Sequence, residues 1–464
     1  MRESTNKTVA LVQKKGKFAL YGMPRFGSAL VLNFRDFATY LLYTTVFGLS
    51  KDYAGWIIFL SYLSIAISQF SMTSISDRTN TRWGRRRPFI LFGTPILALS
   101  FFMLFTPLLF LGKNPPEETV FIWFLVWKCS FEFFYGFVTS PYQAMMPEIM
   151  LVNERPKASQ WQNLFGMLGT GCGFVITLVV MQPEVPQITV TRELPPSFIA
   201  IFLVGAIVTV LLFFWFTLIF RREEPQFMAK HSLRENVKEA LRNKNFLRVT
   251  ILQGIASLAW AMIFAVIFGY LQDVLHFTSF TFYITAVILV VGILSFLAIW
   301  RKFIEKKGKK WVLEKILLLG VIFFPLSLVG IAQGSDFTVI GVIIVLFSAC
   351  TLGGWYLFPY LLYADLAEDD ARRTDNFKAG VYTGFPSIPL NLFQGFSYII
   401  TGYLDENLPI LPGTGGGGRH PVSWFYVIWG PLASIYLLIA YLYLKKRVIL
   451  DFAWEKEQKT SISS

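Results

Sequence analysis

Opposite charges sit inside long apolar runs of this chain, where charge is least expected. Lys128 and Glu132 are four residues apart in the run 120–146, so a helix there puts an ammonium and a carboxylate on one face. Arg35 and Asp36 are adjacent in the run 18–49. A charge in hydrocarbon is costly unless paired or hydrated, so each of the four groups calls for a reason. One reason is chemical. A carboxyl whose charged form is penalised can take up and release a proton, and a cation that changes its distance switches that affinity. On this reading Glu132 and Asp36 are the proton-coupling candidates. Arg35 and Lys128 then shape a polar substrate site, Lys128 as partner of Glu132 or as a hydrogen-bond donor to substrate. The plainer reading is a buried neutral cluster that fixes helix packing, although buried ion pairs are often no better for stability than apolar packing. No nucleophile–base pair or metal-ligand set accompanies the carboxylates, so no catalytic residue, metal or cofactor is expected. His231, His276 and His420 are scattered.

Other candidates carry less chemistry. Trp127, Trp260 and Trp355 have rings that can stack on a ligand, but tryptophan also favours helix interfaces and lipid boundaries. Asn391 and Gln394 follow Pro386 and Pro389, which are expected to bend a helix and open backbone groups toward a cavity. Gly166, Gly169 and Gly173 read as close helix packing. Cys129, Cys172 and Cys350 all fall in apolar runs and read as packing residues.

The elements that hold these residues follow from composition. Hydrophobic residues make up 54% of the 464 positions and charged residues 15%, where a soluble chain carries roughly a quarter charged. The apolar runs are about 20 residues long, enough to cross a bilayer core of ~30 Å. Twelve spans result, at 18–49, 53–75, 88–111, 120–146, 161–181, 197–220, 249–272, 280–300, 311–332, 338–363, 380–403 and 424–444. The net charge of +13 does not point to nucleic acid, because the basic residues cluster between apolar runs. Of the 42 lysines and arginines, 35 fall on the side of the two termini and four on the other. Both termini are therefore expected in the cytoplasm, in a multi-pass protein of the cell membrane. Met1–Lys17 is polar and basic, so no cleavable signal peptide is expected.

The halves repeat. Asp77 to Arg87, with Gly84 among arginines, lies between spans 2 and 3. Glu305-Lys-Lys-Gly308-Lys-Lys310 lies at the matching place between spans 8 and 9. Pro141-Tyr142 with Glu148 leaves span 4 much as Pro359-Tyr360 with Asp365 leaves span 10. The expected organisation is an all-α polytopic membrane protein of two pseudo-symmetric six-helix bundles, 1–220 and 249–464, joined by a cytoplasmic linker, 221–248. A site near the midplane between such repeats is the alternating-access arrangement.

The most specific segment is Ser76-Asp77-Arg78-Thr79-Asn80-Thr81-Arg82-Trp83-Gly84-Arg85-Arg86-Arg87-Pro88-Phe89. Gly84 permits a tight turn, Pro88 starts the third helix, and Asp77 can pair with the arginines around it. Asp77, Arg78, Gly84 and Arg85 thus make a charged gating loop. This loop resembles the major facilitator loop 2–3 signature, with Thr73 where glycine is usual. In particular it is similar to the glycoside–pentoside–hexuronide:cation symporter family and its plant sucrose-transporter branch. Tyr135-Gly136 and Ser140 to Glu148 resemble that family's span-4 ending, and Tyr21 to Ser50 the first helix of its melibiose permease. The resemblance implies a major facilitator fold and sugar transport coupled to sodium or protons.

Residue by residue, the melibiose permease's coupling groups are lost. Its two span-2 carboxylates fall on Ile65 and Gln69, its span-4 aspartate on Thr139, its first-span aspartate on Ala29, and its span-11 lysine on Asn391. Without a span-2 carboxylate a sodium site lacks its usual ligand. The sucrose-transporter branch has glutamine at the Gln69 position and a proton-carrying aspartate where this chain has Glu132. The resemblance therefore implies proton-coupled symport of a glycoside or oligosaccharide by a monomer in membrane lipid. Arg35, Lys128, Gln69, Trp127, Asn391 and Gln394 are its candidate substrate contacts. A lysolipid or amphiphile carrier of the same fold and a non-transporting membrane sensor are the alternatives. Single cysteines at Thr81 and Gly416 are expected to label with impermeant thiol reagents from opposite sides of the membrane. Labelling of both from one face overturns the twelve-span topology.

Overall fold

The computed structural model describes residues 16–79, 81–150, 155–177, 182–220, 238, 241–332, 337–374, 382, 385–414, 421–450 and 452. Their regular structure is helical, apart from an isolated antiparallel bridge between Ile410 and Ser423. Lipid offers no partner to a free N–H or C=O, so a spanning segment must satisfy its backbone internally, and a helix does so.

Long helices occupy the twelve expected places. They are α1 (Pro24–Leu41), α2 (Lys51–Arg78), α3 (Arg87–Phe105), α4 (Glu117–Ala144), α5 (Arg155–Ile176) and α6 (Pro196–Ile219) in the first half. The second half has α7 (Lys244–Gly269), α8 (Ser279–Lys307), α9 (Lys309–Phe323), α10 (Thr338–Trp355), α11 (Ser387–Asn407) and α12 (Phe425–Arg447). Among the described residues, nine are long and apolar enough to cross a membrane by length and composition alone. The other three, α1, α5 and α11, are not in that set. We call the face where α1 starts and α12 ends the near face, and the opposite one the far face.

Prolines account for the departures from the expected spans. The tenth span is broken: α10 stops at Trp355 and helix resumes over Phe358–Thr374, with Pro359 in its first turn, where no N–H is missed. The eleventh starts at Ser387, with Pro386 as its cap and Pro389 in its first turn. These two prolines therefore begin α11 and do not bend it, contrary to the expectation from their spacing. In the ninth, Pro325 falls where the helix tightens into a 3-10 stretch, Phe324–Ile331.

The backbone itself repeats. Both α1 and α7 run into a π-helical turn, Leu42–Val46 and Tyr270–Val274. Each is followed by a left-handed residue, Gly48 at φ 66° and His276 at φ 57°. The Leu49 N–H then donates to the Tyr43 carbonyl at 3.1 Å, and the Phe277 N–H to the Leu271 carbonyl at 3.0 Å. Ser50 and Thr278 cap the next helices. Left-handed glycines recur too, Gly84 at φ 107° and Gly308 at φ 87°, at the turns after α2 and α8.

Buried apolar residues form two clusters, one from α1–α6 and one from α7–α12. Ala261 and Tyr398 of the second half join the first cluster and so mark the seam. Within the first half α5 packs tightly on α1. A Cβ on Gly169 would land on the Phe26 carbonyl, whereas one on Gly166 would meet only the flexible Arg25 side chain, 3.1 Å away. Gly169→Ala is therefore expected to cost about 1–3 kcal/mol, as overpacking against rigid backbone does. Gly166→Ala should be nearly neutral, and thermal unfolding of the two purified variants in one detergent compares them.

Candidate functional site

Helix α4 carries Lys128 and Glu132 on one face, and both are buried, at 2% and 0% side-chain exposure. Helix α1 brings Arg35 against them. The Arg35 guanidinium donates to Glu132 Oε2 at 2.7 Å, at the short end for a charge-assisted bond. Lys128 Nζ lies 3.2 Å from Oε1. That distance makes an ion pair but not an aligned hydrogen bond, since Oε1 has no hydrogen-bond partner. Among the described side chains, then, one carboxylate holds two cations. The Asp36 side chain lies outside the described residues.

Around this cluster runs an aromatic seam. Arg35 sits over the Tyr62 ring, 5.2 Å from its centroid, and Tyr62 of α2 stacks on Tyr398 of α11 at 5.8 Å. The Thr39 hydroxyl donates to the Arg35 carbonyl at 2.6 Å. Arg35, Thr39, Tyr40, Ile58, Tyr62, Lys128 and Tyr398 enclose a void of about 190 Å³, too narrow to admit a water-sized sphere. Both halves line it, the second through Tyr398.

The remaining candidates are dispersed. Gln69 packs beside Gly136, one helical turn from Glu132 toward the near face. Asn391 and Gln394 are half-buried on the near-face part of α11 and do not line the void. Trp127 lies on the other side of α4, in a groove with Thr119, Ile122, Trp123 and Val126, its ring 5.7 Å from that of Trp123. Trp260 and Trp355 are buried together in the second half, 6.0 Å apart. In the gating loop Gly84 closes a turn with Thr81, whose carbonyl accepts its N–H at 3.0 Å. Arg85 is half-buried, and the side chains of Asp77 and Arg78 lie outside the described residues. Arg86, which the sequence reading passed over, is buried and donates to the Ala144 carbonyl at the end of α4. In the second half Lys309 pairs with Asp365 at 2.5 Å, tying the equivalent loop to the helix that follows α10.

Reading along the sequence missed Tyr40, Tyr62 and Tyr398, because a tyrosine in an apolar run carries no mark of its neighbours. It also missed Gln253, fully buried on α7 with neither amide atom hydrogen-bonded. A polar residue amid the run 249–272 was the available signal.

A family model described as MFS/sugar transport protein matches residues 20–415. The chain belongs to this family. Among its curated relatives is the uncharacterized symporter sll1374 of Synechocystis, 28% identical over 36% of this chain and 31% of that protein. Another is the isoprimeverose transporter of Lactiplantibacillus pentosus, 29% identical over 30% of this chain and 28% of that one. The chain thus spans about a third of the length of each. Its fold is shared with a solved D-xylose–proton symporter, at TM-score 0.64 and 15% identity over 93% of this chain and 97% of that one. The twelve-helix major facilitator fold is therefore that of a family of transport proteins and not of enzymes.

In this MFS/sugar transport protein the charge cluster also sets a stability order. Glu132→Leu removes the carboxylate that Arg35 and Lys128 share and is expected to cost roughly 3–5 kcal/mol, the usual penalty for breaking a buried ion pair. Glu132→Gln should cost less, since its carbonyl still accepts from Arg35. Lys128→Met keeps the Arg35–Glu132 pair and should cost least. Melting temperatures of the three purified variants test the order, and a Lys128→Met that melts lowest contradicts it.

Proposed function

We propose that this chain carries a sugar, a glycoside or oligosaccharide, across the cell membrane together with a proton by alternating access. The observation that carries the reading is the buried carboxylate of Glu132, clamped by Arg35 and Lys128 beside a void that both halves line. While Glu132 is ionised it accepts from Arg35 and is ion-paired with Lys128. A proton on Glu132 weakens that attraction, and Arg35 and Lys128 can then donate to sugar hydroxyls. Proton and sugar then favour the same states, which is the requirement for coupling, and the effect is reciprocal. Tyr62 and Tyr398 offer aromatic faces for a pyranose ring. Asp36 is the second candidate for the proton.

Several observations favour this substrate and ion. Relatives are named as a symporter and as an isoprimeverose transporter. Helix α2 has Ile65 and Gln69 in place of carboxylates, which favours a proton over sodium. Together with Glu132 this suits the sucrose-transporter-like branch. The second half offers orphaned polar atoms, the Gln253 amide and Trp260 Nε1, that hydroxyls can satisfy. Gln69, Asn391 and Gln394 would line the path to the near face, with Trp127 the weakest contact because it faces away from the void.

Two separate apolar clusters support treating 1–220 and 249–464 as bodies that rock about the site, with 221–248 as linker. The excess of lysine and arginine supports a cytoplasmic near face, and the loop of Asp77, Arg78, Gly84 and Arg85 is its gate. One chain holds both halves of the site, which supports a functional monomer.

Proteoliposome uptake tests the reading, with a sugar panel, lysolipids, and imposed proton or sodium gradients. Glu132→Gln mimics the protonated carboxyl. It should keep sugar binding and exchange between two loaded sides, yet lose accumulation driven by a pH gradient. Full gradient-driven accumulation by this variant moves the proton to Asp36. Transport of lysolipids alone, or of nothing, overturns the sugar assignment.

A further inference from the structure

The far face is shut by α2 lying on α11. Their backbones touch: a Cβ on Gly55 would sit 2.6 Å from the Tyr398 carbonyl oxygen, and one on Gly402 would land on the Lys51 carbonyl. Set into this seal is Asp405, buried at 3% exposure. Its Oδ1 accepts from Lys51 Nζ at 2.8 Å and from the Ser423 hydroxyl at 2.6 Å. Its Oδ2 accepts from the Tyr40 hydroxyl at 3.3 Å. The Lys51 N–H adds a bond to Glu406 Oε2 at 3.0 Å. Lys51 and Tyr40 belong to the first half, and Asp405, Glu406 and Ser423 to the second.

Tyr40 serves two places at once. Its hydroxyl holds Asp405, and its side chain lines the void beside Arg35 and Lys128. Tyr398, which also lines the void, lies two turns before Asp405 on the same helix. We propose that Asp405 is a positioning residue of the transport cycle, a latch that holds the far face shut through Lys51 and senses the void through Tyr40. Separating the halves at this face removes two of the three donors from a buried carboxylate, leaving only Ser423. That loss is costly enough to make the latch open as a unit. A sugar hydroxyl that claims Tyr40 weakens the hold on Asp405, so occupancy of the void and the state of the far face are linked. This proposal rests on the alternating-access reading, but its labelling test needs neither sugar nor gradient.

Ile58 lines the void and is buried, so a cysteine there reports which face gives access. In full-length protein with Cys129, Cys172 and Cys350 replaced, an impermeant thiol reagent is applied to Ile58→Cys from each side in turn. Labelling from the far side should be slow in the parent. Lys51→Met and Asp405→Asn should each raise it by about tenfold, the population shift that corresponds to ~1.4 kcal/mol, and lower it from the near side. Tyr40→Phe should raise it less, and alone among the three should also raise the KM for the transported sugar. Lys51 is partly exposed, so Lys51→Met keeps the test open if Asp405→Asn does not fold. Unchanged far-side labelling in Lys51→Met overturns the latch and leaves the symport reading standing. Raised labelling with no sugar uptake in the parent supports the latch and removes the sugar.

Discussion

A lone charge in hydrocarbon is among the most expensive things a membrane protein can hold, and much of this molecule is arranged around that cost. Glu132 is surrounded by apolar and aromatic side chains, and its charge is tolerable because Arg35 and Lys128 come to it. Arg35 reaches it from a different helix, which ties α1 to α4. The same guanidinium covers Tyr62, and Tyr62 lies on Tyr398 of the other half. One ion pair is thus continuous, through two rings, with the seam between the bundles. Any change in the charge of Glu132 alters contacts that reach that seam.

The asymmetry of the halves follows from the same cost. Their backbones repeat closely, down to π-turns at Leu42–Val46 and Tyr270–Val274 and left-handed residues at matching places. Their chemistry does not repeat. The second half keeps neutral polar groups, Gln253 and Trp260, where they face its interior, and puts its buried Asp405 and Asp273 toward the far face. A duplicated scaffold has been loaded with titratable groups near the middle of one half and with neutral hydrogen-bonding groups in the other.

What could be read along the chain was what has local cause. The twelve spans follow from bilayer thickness, and the Lys128–Glu132 pair from helical spacing. The turn glycines Gly84 and Gly308 showed through their basic neighbours. Proline was ambiguous, since Pro386 and Pro389 fit a kink as well as a helix start, and only the cap position decided. Arg35 stood out as a charge, yet nothing nearby in sequence said that it meets Glu132, 97 residues on. Asp405 was invisible for a different reason: an acid at the end of an apolar run reads as the start of a loop. Trp127 has the right residue type on the wrong side of α4.

The tightness of the void has a consequence for leakage. Protons cross proteins along chains of water, and each link needs room for one molecule and polar partners to hold it. Here the space beside Arg35 and Lys128 is too narrow for even one, while α2 and α11 are in backbone contact toward the far face. In this state that space has no room for a water beside Arg35 and Lys128 to relay a proton toward Glu132. A gradient across such a wall cannot dissipate through the site while the halves stay shut. The close fit of three tyrosines and an isoleucine around a salt bridge is, in that sense, the dielectric of a capacitor.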